Sequence, residues 1–486
     1  MKVAMVAYEV YPFAKVGGLA DVVGSLPRVI EKQGVKVSVF MPFHKVVQQN
    51  CAKLGLEIEP VAKSIQVPNL QTSEKFDLYR SRMPDSNSVV YFIANDYYFS
   101  SPNVYEGPDL AEQSIFFSNA SLEAMKYLSE NFDLVHAHDW QTGLIPVYLR
   151  TLYRTDPFFS KTAAVFTIHN LGYQGIFNPK YIKFAGLPGY LFNIDGLEFY
   201  GQVNFLKGGI LFSDIVTTVS PTYAQEIQTE QFGEKLDGVL RLKAEDLYGI
   251  LNGIDYNEYN PATDKRIYAN YDLDHIDNKK INKRELQKEL GLQSREDAVL
   301  IGMINRLVDQ KGLDLVEKVF DYVMMFDVQF VVLGTGDKKY EEFFRNVEKK
   351  YPARISSNIK FDIDLAQKIY AASDVFLMPS RYEPCGLGQM YSLRYGTIPI
   401  VRYTGGLADT VREYDSKTKE GNGFGFREYD TAHLLEAVAK AVYFYKNERD
   451  HWLKIIKNAM TTDVSWDRSA RQYIKVYQEA LKKRKF

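Results

Sequence analysis

One pattern governs this chain: short apolar, β-branched runs alternate with stretches whose apolar residues recur at helical spacing. Residues 2–8 (KVAMVAY) read as a first strand and residues 18–32 as the helix that follows. Residues 35–41, 89–94, 134–137, 163–168 and 215–219 are further strand candidates, each bounded by polar, Gly or Pro residues. Such alternation predicts a parallel sheet wound with helices on both faces. The pattern then restarts. Beyond a polar stretch at 257–283, rich in Asn, Asp, Tyr and Lys, come candidates at 299–304, 329–333, 358–361, 375–378 and 398–401. A length of 486 residues, several times the ~150 of a usual domain, also asks for more than one domain.

The fold class read from this order is α/β. Two doubly wound, Rossmann-like parallel-sheet domains, residues 1–245 and 246–462, face a deep interdomain cleft, where ligands of such folds bind. The boundary is placed near 242–251. Residues 463–486 carry one more helix, with Trp466, Ala470, Tyr473, Ile474, Tyr477 and Leu481 on a single face that must pack on something. No repeat of 20–50 residues and no low-complexity segment is present.

Composition narrows the function. Lys and Arg number 59 against 61 Asp and Glu, so a chain-wide nucleic-acid or anionic-membrane footprint is not expected. Two cysteines, Cys51 and Cys385, make no disulfide framework and fit a reducing compartment, and the expected location is cytoplasmic. The apolar start is broken by Glu9 and Lys15, so it reads as neither signal peptide nor membrane span. The 34 tyrosines suit a sugar site and a large core equally.

Three stretches carry candidate chemistry. Lys15-Val16-Gly17-Gly18 follows the first strand and opens a helix. Glycines there admit a ligand to the backbone, and free amides at a helix start favour an anion. A plain strand–helix turn explains it equally well. Asp21 lies in the first helical turn, where it also complements the helix dipole. Residues 305–312 (NRLVDQKG) place Arg306 and Lys311 at a strand end, a planar fork and a compact charge for phosphate oxygens, against the commoner reading of two surface cations. Residues 379–389 (PSRYEPCGLGQ) hold Glu383 between prolines and glycines, with the Gly386 and Leu387 amides at the next helix start. A carboxylate beside an anion site fits a sugar diphosphate; a rigid turn is the plain alternative. Cys385 at that helix start has the place of a low-pKa nucleophile, but no hydrolase signature accompanies it, and a small packing residue is preferred.

The remaining features are weaker. Residues 333–337 (LGTGD) lack the third glycine of a dinucleotide fingerprint and read as a tight turn. His136, His138 and His169 are three of seven histidines; zinc is conceivable, but hydrogen-bonded strand-end histidines are preferred. Of the triplets Asp272–Asp274 and Asp362–Asp364, the second reads as a helix cap. No Walker A, Gly-x-Ser-x-Gly or His-Glu-x-x-His occurs.

Together these stretches resemble the bacterial glycogen synthases and plant starch synthases over almost the whole chain. The similar segments are 15–21 (KVGGLAD), 135–143 (VHAHDWQTG), 166–170 (FTIHN), 198–207 (EFYGQVNFLK), 219–223 (VSPTY), 251–255 (LNGID), 306–313 (RLVDQKGL), 379–389, 404–411 (TGGLADTV) and 463–466 (DVSW). The sequence departs from the family at Val16, where Thr is common, at Gly388, where Thr or Asn is frequent, and at 96–101 (DYYFSS), which lacks an Asp-Arg pair. The resemblance implies a GT-B fold and retaining transfer of glucose from ADP-glucose to the non-reducing end of glycogen or another α-1,4-glucan, with no cofactor and no metal. It implies that Lys15, Gly17 and Gly18 approach the donor and that Arg306 and Lys311 clamp its phosphates. Glu383 would bind the donor sugar beside Cys385, Gly386 and Leu387, and Asp21, Asp139, His169, Asn170 and Asn252 would line the site. The catalytic set so implied is Glu383, His169, Lys311, Arg306 and Lys15. The last helix would cross back to the first domain. An α-glucan phosphorylase using pyridoxal phosphate and a non-catalytic glucan-binding protein are the rival readings. Oligomeric state is not legible.

Overall fold

A computed structural model describes residues 1–484. The chain divides into two compact units: Met1–Ile250 together with the C-terminal helix Trp466–Arg484, and Leu251–Ser465.

The strands of the first unit are β1 (Lys2–Val6), β2 (Lys36–Pro42), β3 (Glu59–Val67), β4 (Glu74–Arg82), β5 (Val89–Ala94), β6 (Leu134–His138), β7 (Ala163–Ile168), β8 (Ile176–Phe177), β9 (Glu198–Phe199), β10 (Gln202–Asn204), β11 (Ile215–Thr218) and β12 (Leu247–Gly249). The main sheet has the order β12-β11-β7-β6-β1-β2-β5-β4-β3, and β8, β10 and β9 form a small antiparallel sheet. From β12 to β5 the pairing is parallel. Buried on both faces, these strands are near-continuous apolar runs, as in KVAMV of β1. The expectation of a wholly parallel sheet is corrected at one edge, where the β3–β4 hairpin pairs antiparallel with β5. Its strands are half-exposed and interleave charges with apolar residues, so Phe76 and Leu78 face the core while Lys75 and Asp77 do not. That alternation lacks the apolar run that marked the central strands.

After β5 the chain returns to the other side of β1, so the strand order reverses between β1 and β6. The helix Gly18–Glu31 packs by Leu19, Val22, Val23, Leu26 and Ile30, a single stripe at helical spacing. The C-terminal helix lies against that helix and against β6, β7 and β11. It buries Trp466, Ala470, Tyr473, Val476, Tyr477 and Ala480, and the Tyr477 hydroxyl lies 2.8 Å from His136 Nδ1.

The second unit holds β13 (Val299–Ile304), β14 (Val328–Leu333), β15 (Ile355–Asn358), β16 (Val375–Met378), β17 (Ile398–Arg402) and β18 (Phe424–Phe426), all parallel, in the order β15-β14-β13-β16-β17-β18. This is a doubly wound order with its reversal between β13 and β16. Leu286, Leu300, Val331, Leu365 and Ile369 form part of its core. The strand read at 358–361 is corrected to Ile355–Asn358: Phe361 is 82% exposed, and Asp362 already caps the next helix by accepting from Leu365 N–H. The polar stretch 257–283 is built into this unit. Buried Tyr271 donates to the Tyr395 carbonyl at 2.8 Å, and buried Lys279 to the Ala371 carbonyl and Thr397 Oγ1. Among the described residues no helix is long and apolar enough to cross a membrane.

Candidate functional site

In open parallel sheets, ligands sit at the carboxyl ends of the strands where the order reverses. Each unit puts several of its candidate residues there, while His169 and Asn170 follow the neighbouring strand β7 and Asn252 follows β12. In the first unit β1 leads into Glu9 and residues 15–18, and β6 ends at His138 and Asp139. In the second, β13 leads into Arg306 and Lys311, and β16 into Glu383.

In the first unit Lys15 is exposed, with Nζ 2.6 Å from Asp21 Oδ1. Burial raises the Asp21 carboxyl and Lys15 opposes the rise. Gly18 opens the helix on the surface, and a Cβ there would meet nothing. The chain's own packing therefore does not demand that glycine, whereas a ligand pressed on the backbone would. The expectation of free amides here is corrected. Val16 N–H and Gly17 N–H donate to Glu9 Oε2 at 2.5 and 2.9 Å, and the Tyr105 hydroxyl donates to Glu9 Oε1 at 2.5 Å.

Asp139 sits at φ 57° and ψ 178°, a conformation proper to glycine that costs a non-glycine residue ~1–3 kcal/mol. Its Oδ1 accepts His169 N–H at 2.7 Å, and burial pushes the carboxyl up to about 7. His169 Nε2 lies 3.0 Å from His138 Nδ1, and burial lowers His169 to about 3, so its ring is a neutral imidazole engaged with the protein. His136 uses both ring nitrogens, on Tyr477 and Thr167. Asn170 accepts Gly172 N–H in an Asx turn. Among the described residues no group of three or more His, Cys, Asp or Glu is placed to hold a metal ion.

These histidines make the first unit acid-sensitive. Burial lowers His44 to about 4, His136 to about 3 and His138 well below its ordinary value, alongside His169. An unfolded imidazole takes its proton near 6.5, so from there down to about 4 each weakens the folded unit by about 1.4 kcal/mol per pH unit. Asp139 and Asp21 have the opposite sign, because their raised carboxyls bind a proton in the folded state first; they offset part of this loss. The histidines of the second unit, His275, His433 and His451, are exposed or half-buried. Peptide-resolved hydrogen exchange, corrected for intrinsic rate, is expected to show the first unit losing protection between pH 6.5 and 4.5 ahead of the second. Simultaneous loss in both would contradict this.

In the second unit Lys311 Nζ lies 2.6 Å from Glu383 Oε2, which also accepts from Ser380 Oγ at 3.0 Å. Glu383 is 6% exposed. Arg306 is exposed, and among the described residues its guanidinium makes no hydrogen bond or ion pair. Asn252 is buried and its Oδ1 has no partner, an acceptor left open beside the Cys385 loop. Burial pushes the Cys385 thiol up to about 12, so it is protonated and inert. Gly386 is left-handed at φ 72°, and Leu387 precedes the short helix Gly388–Arg394. The 333–337 turn is a close approach, since a Cβ on Gly336 would fall 2.4 Å from the Leu307 carbonyl oxygen. Sequence reasoning missed Glu9, Tyr105 and Ser380 as parts of these arrangements.

Comparison with known proteins gives the family. A starch synthase catalytic domain model matches residues 2–242, and a group 1 glycosyl transferase model matches 283–459. The glycogen synthase of Pseudothermotoga lettingae is 83% identical over 486 residues, the whole of both chains. The chain belongs to the glycogen synthase family. The glycogen synthase of Thermotoga maritima is 62% identical across 99% of each chain. The catalytic domain of starch synthase IV from Arabidopsis thaliana superposes with a TM-score of 0.91 at 33% identity, covering 99% of each chain. A sucrose-phosphate synthase from Thermosynechococcus elongatus shares the fold alone, with a TM-score of 0.60 at 17% identity. The fold of this glycogen synthase family member is thus the GT-B type and its activity glycosyl transfer. Family membership removes the phosphorylase reading.

Proposed function

We propose that the chain transfers glucose from ADP-glucose to the non-reducing end of an α-1,4-glucan, with retention and without a metal ion. The observation that carries this is the Lys311–Glu383 pair at the strand reversal of the second unit, with exposed Arg306 just after β13 and the open acceptor of Asn252 at Cys385. The starch synthase IV domain was solved bound to ADP and acarbose, which supports an adenine nucleotide.

In this reading Arg306 and Lys311 neutralise the roughly two charges that develop on the departing diphosphate. Lys311 has three N–H groups, and Glu383 occupies one. Glu383 accepts from donor sugar hydroxyls with its remaining lone pairs, next to the Gly386 and Leu387 amides. Lys15, Gly17 and Gly18 contact the donor from the first unit, and Asp21, Asp139, Asn170 and Asn252 complete the binding set. Retention by double displacement needs a carboxylate free to attack the anomeric carbon. Glu383 is tied to Lys311 and Ser380, Glu9 to two amides and a phenol, and Asp139 to His169 N–H. These commitments favour attack on the same face, with a phosphate oxygen taking the acceptor's proton. His169, its imidazole engaged with His138, contributes its main-chain carbonyl to the positive charge on the sugar.

The test is incorporation of labelled glucose into glycogen from ADP-glucose and from UDP-glucose, each with and without EDTA. Transfer from ADP-glucose that survives EDTA is expected. Preference for UDP-glucose, or loss with EDTA, would overturn the donor or the metal-free assignment respectively.

A further inference from the structure

Glu9 is 3% exposed and follows β1 by three residues. Among the described residues no cation pairs with it. Its carboxylate is held instead by two successive amides on one oxygen and a phenol on the other. Successive amides make a concave anion seat, and charge-assisted hydrogen bonds to it are roughly twice as strong as neutral ones. A buried carboxylate without a cation is costly, so these three donors are what keep it in place. Tyr105 belongs to the segment between the helices Asp96–Phe99 and Leu110–Tyr127, and its ring stacks on Tyr8 at 5.8 Å and 14°. Tyr8 in turn donates to Gln113 Oε1 at 2.8 Å. One side chain therefore joins the loop after β1 to a loop some ninety residues later.

We infer that Glu9 is a positioning residue of the donor loop: it fills the Val16–Gly17 amide seat from within and fixes Lys15 and Gly18 in the place where the donor meets them. A donor phosphate then finds at this loop an ammonium and an open glycine, not an amide nest. The inference rests on the reading of Lys15 and Gly18 as donor contacts given above.

Four variants test it: Glu9→Gln, Tyr105→Phe, Lys15→Ala and the double Glu9→Gln/Lys15→Ala. Steady-state kinetics are run with both substrates varied, and thermal midpoints recorded. Glu9→Gln is expected to lower kcat/KM for the nucleotide sugar about 10- to 100-fold, the range of a small misplacement of contacting groups. Tyr105→Phe, which removes one of the three donors and is expected to lower the thermal midpoint without unfolding the protein, should lose about tenfold. KM for the glucan should stay within about twofold in both, because the loop acts on the donor. The double variant should lose clearly less than the product of the single losses, since Glu9 acts in part through that residue. Glu9→Gln and Tyr105→Phe both near wild type, or a double loss equal to the product of the single losses, would overturn the inference while leaving the site reading intact. Lys15→Ala at wild-type rate would instead remove the site reading, and the inference with it.

Discussion

Lys311→Ala is expected to lose turnover and to loosen the second unit, by two separable routes. The catalytic loss is that of one charged donor to the departing diphosphate, about 10²- to 10³-fold in kcat. The structural loss has a different origin. Glu383 is buried and its carboxylate meets Lys311 at 2.6 Å. Removing the ammonium leaves that charge with Ser380 Oγ alone, and breaking a buried pair from one side costs about 3–5 kcal/mol. Glu383→Ala should be the milder change for stability, because Lys311 is the more exposed partner and reaches water more easily. The double variant Lys311→Ala/Glu383→Ala should recover most of the lost stability in urea denaturation and none of the activity. A double variant as unstable as Lys311→Ala would show that the buried charge was not the cause.

Gly406→Ala should be nearly as damaging, although the residue carries no chemistry. Gly406 N–H lies 3.2 Å from the carbonyl oxygens of Glu383 and Pro384, so this residue braces the backbone of the loop that presents Glu383. A Cβ on Gly406 would fall 2.1 Å from the Cys385 carbonyl oxygen and 2.6 Å from its Cα. Backbone atoms cannot rotate aside as a side-chain end can, so the whole 383–385 segment must retreat. A shift on the order of 1 Å at a contacting group costs about 100-fold in rate. The expected result is a loss of about that size in kcat/KM for the nucleotide sugar, in a protein whose first unit melts as wild type. Retained activity would mean that the loop has slack that the geometry denies.

Legibility followed the physics of each segment. Central strands such as β13, β16 and β7 announce themselves because burial on both faces requires unbroken apolar runs. The β3–β4 hairpin carries Lys63, Lys75, Asp77 and Arg80 on a half-wet edge and has no such run. The strand read at 358–361 was displaced because Phe361 looks like a strand residue by type, and only its exposure shows that it is not one. For the site, Lys15, Arg306, Lys311 and Glu383 stood out as charges set among glycines and prolines at strand ends. The pairing of Lys311 with Glu383 joins residues 72 positions apart and has no local signature. Glu9 was visible only as a charge interrupting an apolar run, since its partners Val16, Gly17 and Tyr105 assemble on folding. The Gly405-Gly406 pair was legible as a motif, but its cause, contact with the backbone of another loop, was not.

The helix Trp466–Arg484 belongs to the first unit yet is separated from the rest of it by all of Leu251–Ser465. On a ribosome, then, the second unit is made as one continuous segment and needs nothing translated after it to complete its sheet. The first unit emerges earlier but must wait. Until the last helix arrives, the side of β6, β7 and the Gly18–Glu31 helix that receives Tyr473 and Tyr477 is uncovered, and His136 lacks its hydroxyl partner. The unit begun first is therefore completed only with the last helix, and the nascent first half is a natural client for chaperones that shield apolar surface.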